Sequence, residues 1–119
     1  MDDSVALTRR WIEAYAGYRD DDLLELAHPE IVLHPRHGQG TREYRGLDGV
    51  RNWLQDVGSS RPKIDTTTIE ALSDGRVIAE TTIEQVVVNA VFEFRDDRIS
   101  SVSVYLSDRE LLERLGLIP

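Results

Sequence analysis

The residues best suited to acid–base chemistry lie in one short stretch, which reads His-Pro-Arg-His from position 34 to position 37. It places two imidazoles and a guanidinium directly after a short apolar run. Because imidazole exchanges a proton near neutral pH, His34 is a candidate general acid or base, while Arg36 and His37 are candidate ligand contacts at a pocket rim. In the alternative interpretation, both histidines only hydrogen-bond strand ends and loop carbonyls at the surface.

A second candidate base is Glu80, which shares one face of a predicted strand with Glu84. If that face borders a pocket, Glu80 is a candidate proton acceptor, because removal from water makes a carboxylate more basic. If it is the outer face, both glutamates only keep the surface soluble. The alternation of Val77, Ala79 and Thr81 along the same strand favours the second alternative.

The sequence offers little for metal binding. It contains no cysteine, which excludes disulfides, thiolate nucleophiles and the common zinc clusters. His34 and His37 would supply two metal ligands, and a third, Glu43 or Glu80, would come without a recognised spacing. We therefore predict no metal and no cofactor, and any catalysis must use His, Asp, Glu, Tyr or Arg side chains.

Aromatic side chains are available to line a cavity beside these groups. At helical or strand spacing such residues are more often core, which is the simpler interpretation of Trp11, Trp53 and Phe94. Tyr15 and Tyr105 suit a pocket better, because a buried phenol needs a hydrogen-bond partner and can donate to a carbonyl or enolate oxygen. The candidate catalytic residues are thus His34, Glu80 and Tyr105, and the candidate ligand-binding residues are Trp11, Tyr15, Arg36, His37, Tyr44, Trp53 and Phe92.

The element that must position these groups is the stretch from Lys63 to Leu106, which is rich in Val, Ile, Thr and Phe. Asp74-Gly75 and the Arg-Asp-Asp-Arg segment at 95–98 are typical of hairpins, so the stretch predicts an antiparallel meander. A further turn is expected between Gln85 and Asn89, because Asn tolerates a left-handed backbone. The predicted strands are Ile31–Leu33, Ile64–Leu72, Val77–Glu84, Ala90–Arg95 and Ile99–Leu106.

Helical periodicity surrounds this sheet. One apolar stripe predicts a first helix, a second short helix starts near Asp20, and Val50, Trp53, Leu54 and Val57 share a face of a third. Gly58 is placed to end the third helix, and a short amphipathic helix with Leu111, Leu112 and Leu115 is expected near the C-terminus. The pattern predicts an α+β fold in a single domain of residues 1–119.

Composition excludes several classes of partner. The formal net charge is −8, and the arginines are scattered among acidic residues, so no nucleic-acid partner is expected. No apolar run approaches the length that spans a bilayer, and the first residues are acidic where a signal peptide would be basic, so neither a membrane nor secretion is expected. A cytoplasmic location is the default.

Four stretches carry a resemblance to the SnoaL-like, or polyketide cyclase-like, branch of the NTF2-like superfamily. They are Trp-Ile-Glu-Ala-Tyr at 11–15, Asp-Leu-Leu-Glu-Leu at 22–26 with the following His28-Pro29, Tyr-Arg-Gly-Leu-Asp-Gly-Val at 44–50, and residues 92–99, which lead to Tyr105. The resemblance implies a cone in which N-terminal helices pack on a curved antiparallel sheet around a mainly apolar pocket, and frequent homodimers. Asp97 stands where such chains often carry a turn glycine. Members include polyketide cyclases, ketosteroid isomerases and epoxide hydrolases, but also proteins that only bind or assemble.

The function expected from residues and resemblance together is a pocket for a small apolar ligand. Proton-transfer chemistry of an isomerase, cyclase or hydrolase on a carbonyl-bearing or cyclic substrate is one hypothesis, and a non-catalytic ligand-binding or dimeric assembly domain is the other. Val32 and His34 share a strand face, and we expect His34 to point into the cavity mouth near a tyrosine or a carboxylate. Convergence of His34, Glu80 and a tyrosine on one cavity would favour the enzyme.

A homodimer is expected through the sheet face opposite the helices. The last strand carries Ile99 and Tyr105 on one face and Val102 and Val104 on the other. Exposing both faces together would be costly, because apolar surface in water costs about 25 cal/mol per Å².

Overall fold

The structure is a computed structural model that describes residues 3–34, 43–57, 64–83 and 86–106. Within these ranges the chain forms three helices and six strands, which confirms the α+β prediction. The elements are α1 (Ser4–Ala16), α2 (Asp20–Leu26), β1 (Ala27–His34), β2 (Tyr44–Arg45), α3 (Gly46–Val57), β3 (Ile64–Ala71), β4 (Val77–Ile83), β5 (Val86–Arg95) and β6 (Arg98–Leu106). The predicted helix near the C-terminus and the expected stop at Gly58 lie outside the described residues.

The strands form one mixed sheet in the order β2-β1-β6-β5-β4-β3. The meander from β3 to β6 is antiparallel, as the hairpin signals predict, and β1 pairs with β6 in parallel. No helix in the described part of the chain is both long enough and apolar enough to cross a membrane.

The helices cover one face of the sheet, which we call the inner face. Trp11 of α1 and Val50 of α3 are buried there against strand residues such as Phe92 and Val102. The opposite face, which we call the outer face, carries a separate small apolar cluster of Ile78, Val91 and Tyr105. Strand alternation explains the division, because successive side chains point to opposite faces.

A bulge in the last hairpin changes one predicted face. Glu93 is opposite Ser101, but the next pair is Phe94 with Ile99, so the register shifts by one residue. An extra residue on one strand reverses the alternation beyond it. Ile99 therefore joins Val102 in the inner core, and the expectation that Ile99 and Tyr105 share a face is wrong.

The turn predicted between Gln85 and Asn89 is also wrong. β5 begins at Val86, and Asn89 lies inside the strand, paired with Glu80 on β4 and Tyr105 on β6. Three consecutive valines precede Asn89, and β-branched residues favour the extended backbone. Their preference outweighs the tolerance of one asparagine for a turn.

The hairpin between β5 and β6 lies where the sequence predicts it. Asp96 and Asp97 have φ values of 54° and 62°, the left-handed pair that a two-residue hairpin turn requires. Asp is one of the few residues besides glycine that enters this region readily. Asp97 thus takes the place of the turn glycine without loss of the hairpin.

Candidate functional site

The main feature of the inner face is a stack of three aromatic rings between α1 and α3. Tyr15 and Trp53 have ring centroids 5.0 Å apart with planes inclined by 8°, and Trp11 and Trp53 are 6.3 Å apart with the same inclination. Trp11 also meets the edge of Phe92 on β5 at 6.5 Å. Trp11 is buried, whereas Tyr15 and Trp53 keep part of their surface in water. The stack therefore lies between the helices and the sheet, with two of its rings partly in contact with water.

Helical spacing brings these rings together. Trp11 and Tyr15 are four residues apart on α1 and so project from the same side of that helix. Trp53 comes from α3, whose buried residues Val50 and Leu54 fix that helix against the sheet. The sequence-predicted ligand-binding residues Trp11, Tyr15, Trp53 and Phe92 are thus together on the inner face.

Tyr44, the fifth described candidate for ligand binding, lies on β2. It packs against the inner core, and its hydroxyl donates a hydrogen bond of 2.7 Å to Oδ2 of Asp56 on α3. A Cβ added at Gly49 would lie 2.9 Å from the Tyr44 carbonyl carbon, so the glycine lets α3 approach β2 closely. Asp56 was not among the sequence-predicted site residues. Its position three residues after Trp53 is the signal that could have found it.

The outer face carries a different set of groups. Register places Glu80, Asn89 and Tyr105 side by side across β4, β5 and β6. Asn89 is only 6% exposed and Tyr105 only 8%. In the part of the chain that the structure describes, we find no hydrogen-bond partner for the Asn89 side chain, which is unusual for a buried amide. The sequence pattern missed Asn89 because it assigned that residue to a turn.

His34 also lies on the outer face, which corrects the expectation that it points into the mouth of the inner cavity. Ile31 and Leu33 of β1 are 0% and 2% exposed and belong to the inner core. His34 alternates with them and pairs with Ser103 of β6. Its Nε2 is 3.8 Å from Oε2 of Glu43, so a carboxylate is close but beyond hydrogen-bonding distance.

The two sets of predicted site residues are therefore separated by the sheet. His34, Glu80 and Tyr105, the candidate catalytic residues, share the outer face. The described candidates for ligand binding share the inner face, while Arg36 and His37 lie outside the described residues. The roles of all these residues stay predictions, but one pocket cannot contain both sets.

A polar cluster closes the end of the sheet near the last hairpin. The His28 side chain is 11% exposed, and its Nε2 lies 3.4 Å from Oδ2 of Asp96. The backbone N–H of Glu30 donates to His28 Nδ1 at 3.0 Å. Arg95 contacts both ring nitrogens of His28 and the carboxylate of Glu30. These contacts hold β1 to the β5–β6 hairpin.

Asp74 and Arg76 influence each other's acid–base behaviour. The hydrogen bond from Arg76 holds the pKa of Asp74 below its usual 3.8, and the same bond raises the pKa of Arg76. Both residues belong to the β3–β4 hairpin, away from the two candidate sets. No three His, Asp or Glu side chains within the described ranges are close enough to hold a metal ion.

Two of the open grooves on the described surface are lined by residues outside the aromatic stack. One of about 350 Å³ is lined by residues 18–22. The other, of about 290 Å³, lies between the start of α1 and the β5–β6 turn.

Comparison with known proteins agrees with this architecture. The family model of the SnoaL-like domain matches residues 8–102, and the chain belongs to that family. Bal32a, from a soil-derived mobile gene cassette, is 22% identical with a TM-score of 0.73 over 90% of this chain and 92% of that one. No curated protein matches the chain by sequence.

Two further solved structures share the fold. An LEH-like epoxide hydrolase of M. tuberculosis is 19% identical with a TM-score of 0.69 over 88% of this chain and 83% of that one. An NTF-2 like protein of unknown function from Burkholderia xenovorans LB400 is 16% identical with a TM-score of 0.70 over 87% of this chain and 81% of that one. At such identities the likeness concerns the fold and not the activity.

Proposed function

We propose that this protein binds a small ring-containing ligand at the aromatic stack of the inner face. The observation that supports the proposal is the parallel arrangement of Tyr15 and Trp53 at 5.0 Å, with both rings partly exposed. Aromatic faces and edges pair with other flat or cyclic apolar groups, and such pairs contribute about 0.5–1.5 kcal/mol beyond area burial. Aromatic and other apolar side chains are also the main lining of small-molecule sites, where a few polar groups fix the orientation of the ligand.

The chain offers a direct test, because its two tryptophans both belong to the stack. Any change in indole fluorescence or in an indole N–H resonance therefore reports on this site. Titration with a panel of cyclic ketones, lactones and aromatic alcohols should shift both indole resonances for the ligands that bind. Tyr15→Ala should weaken that binding by about two- to tenfold, since it removes one ring of the stack.

The matched control is Tyr18→Asn, which alters an exposed tyrosine outside the stack. Tyr18 has a φ of 57°, and asparagine tolerates that conformation. Binding to the control should equal binding to the wild type. The proposal fails if no ring compound shifts the indole resonances at millimolar concentration, or if both variants weaken binding equally.

The finer hypothesis of proton-transfer catalysis rests on the outer face. There His34 or Glu80 would act as the base, and Tyr105 would donate a hydrogen bond to developing negative charge. Because these groups lie across the sheet from the aromatic stack, we rank an isomerase, cyclase or hydrolase activity below ligand binding without catalysis. Turnover of a ligand that depends on Glu80 and His34 but not on Tyr15 would reverse this ranking.

We also keep the homodimer as a proposal, with the outer face as its interface. Val87 of β5 is 37% exposed and faces that side. Val87→Glu should weaken self-association, because it puts a charge in the interface. Light scattering at micromolar concentrations should give twice the monomer mass for the wild type and for Tyr18→Asn, and a lower mass for Val87→Glu. A monomer mass for all three proteins would exclude this dimer.

A further inference from the structure

We infer that Ala90 on β5 determines the size of the ligand at the inner-face site, and that this ligand is a flat compound of two fused rings. This inference rests on the proposed binding at the aromatic stack and goes beyond it by naming a ligand class and the residue that admits it. The observation behind it is the exposure of Ala90, which differs from that of its neighbours on the inner face.

Ala90 lies where most of its neighbours on the inner face are buried. Val88 and Phe92, two residues away on either side along β5, are 7% and 1% exposed, and Ala79, its partner on β4, is 0% exposed. Ala90 itself is partly exposed, although it packs against the same core, and so is its partner Val104 on β6. Because buried residues border Ala90 on three sides, its exposure indicates a recess in the inner face that extends towards β6.

The direction of α1 relative to β5 follows from two observations. Leu7 and Phe94 line the same groove, and one helical turn further along α1, Trp11 meets the edge of Phe92 at 6.5 Å. Residue numbers rise along α1 as they fall along β5, so the two elements run in opposite directions. Four residues of a helix advance about 6 Å and two residues of a strand about 6.7 Å, so the two elements stay nearly in step.

The next step along both elements places Tyr15 at the level of Ala90. Tyr15 stacks on Trp53 of α3, and both rings are partly exposed. The exposed parts of Tyr15, Trp53, Ala90 and Val104 therefore border one recess. This recess continues the aromatic site from the two helices down to the sheet.

The small side chain at position 90 gives the recess its depth. In the adjacent row of the sheet, the paired residues Phe92 and Val102 are buried and fill the inner face. A single ring can contact Tyr15 and Trp53 alone, whereas a second fused ring can also cover Ala90. A flat ring system suits the parallel planes of the stack, and the additional apolar area that it buries strengthens binding.

The experiment compares two ligands that differ by one fused ring: 2-naphthol and phenol. Each is titrated into the wild type while the indole N–H resonances are followed by NMR. 2-Naphthol should bind about tenfold more tightly than phenol, which corresponds to burial of on the order of 55 Å² of additional apolar surface. Ala90→Leu fills the recess and should remove this preference without weakening binding of phenol.

The matched control for binding is Ala6→Leu, the same exchange at an exposed alanine of α1. It should leave the preference for 2-naphthol unchanged. A second measurement, urea denaturation, tests the recess without any ligand. Ala90→Leu extends into open space and should not lower the urea midpoint, whereas Ala79→Leu should lower it, because a packed core does not accommodate the added carbon atoms.

Three results would overturn the inference. They are a urea midpoint that falls as much in Ala90→Leu as in Ala79→Leu, a preference for 2-naphthol that persists in Ala90→Leu, and an equal loss of that preference in Ala6→Leu. Each of them leaves the binding of phenol at the stack intact, and with it the proposed function. Failure of both compounds to bind the wild type would reject the ring site and the inference together.

Discussion

Tyr15 and Trp53 stack with ring centroids 5.0 Å apart although they belong to different helices. The pair therefore connects α1 to α3 above the inner face, where Trp11 extends the stack. This contact contributes to stability as well as to the proposed binding. Its two roles can be separated by substitutions that keep or remove the ring.

Trp53→Ala should lower the free energy of unfolding by about 2–4 kcal/mol, because it removes a large ring from both of its stacking partners. Trp53→Phe keeps a ring in place and should cost about 1 kcal/mol or less. Urea denaturation followed by far-UV circular dichroism measures both values. Equal losses for the two variants would mean that a smaller ring at this position does not restore the stack, so that contacts specific to the indole stabilise this region.

Asn89→Val should raise the free energy of unfolding by about 1–2 kcal/mol. The asparagine is 6% exposed, and a buried amide for which the described residues supply no partner costs about that much. Valine also suits a strand better. The control is Thr81→Val, since the Thr81 hydroxyl donates to the Val88 carbonyl at 3.3 Å, and loss of this bond should lower stability by about 1 kcal/mol. Destabilisation by both substitutions would show that the Asn89 amide has a partner in solution.

Asn89 and His34 also show where sequence reasoning reached its limit. The order of helices and strands could be predicted, because hydrophobic periods and turn residues are local signals. The alternation of side chains along a strand predicts that Val32 and His34 share a face. It does not predict which of the two faces meets the core. In β1 the larger Ile31 and Leu33 fill the inner core, which leaves His34 on the other side.

The bulge near Ser101 and the Tyr44–Asp56 hydrogen bond could not be predicted for a related reason. A bulge leaves no periodic signature in a strand of mixed Ser and Val, although it reverses the faces. The hydrogen bond joins residues on different elements, β2 and α3, and depends on how closely the elements pack. Both features follow from tertiary structure that no single stretch of sequence encodes.

The Asp74–Arg76 pair predicts one pH effect. The hydrogen bond from Arg76 lowers the pKa of Asp74 from 3.8, so the folded state favours the charged carboxylate. The stabilising effect of the pair is therefore complete above the unfolded pKa and is lost as the pH falls through the lower, folded value. Arg76→Ala should raise the pKa of Asp74 towards 3.8, as measured by NMR titration of its side-chain carboxyl carbon.

The control for this titration is Arg51→Ala, which removes the partner of Asp48 on α3 and should not alter the titration of Asp74. The backbone N–H of residue 76 also donates a hydrogen bond to the Asp74 carboxylate. If the pKa of Asp74 is unchanged in Arg76→Ala, the hairpin backbone causes the shift without the guanidinium.

The contacts of His28 predict its tautomer. The Glu30 N–H donates to Nδ1, so a neutral ring must carry its proton on Nε2, which then faces Asp96. A protonated Nε2 cannot also accept a hydrogen bond from Arg95. The Nε atom of Arg95 lies 3.3 Å from His28 Nε2, and its Nη2 atom lies 3.4 Å from His28 Nδ1. Such paired distances fit a guanidinium stacked on the imidazole face. Long-range ¹H–¹⁵N spectra near pH 8 should therefore show the Nε2–H tautomer.

The same geometry predicts how two substitutions at this residue differ. His28→Ala should lower the free energy of unfolding by about 2–3 kcal/mol, because it leaves the Glu30 N–H without its acceptor and opens a cavity under Arg95. His28→Asn offers an oxygen near the position of Nδ1 and should recover about 1 kcal/mol of that loss. Asp96→Asn should cost less than either, since the Asp96 side chain is 81% exposed. If His28→Asn is no more stable than His28→Ala in urea denaturation, the bond from the Glu30 N–H is not what fixes this ring.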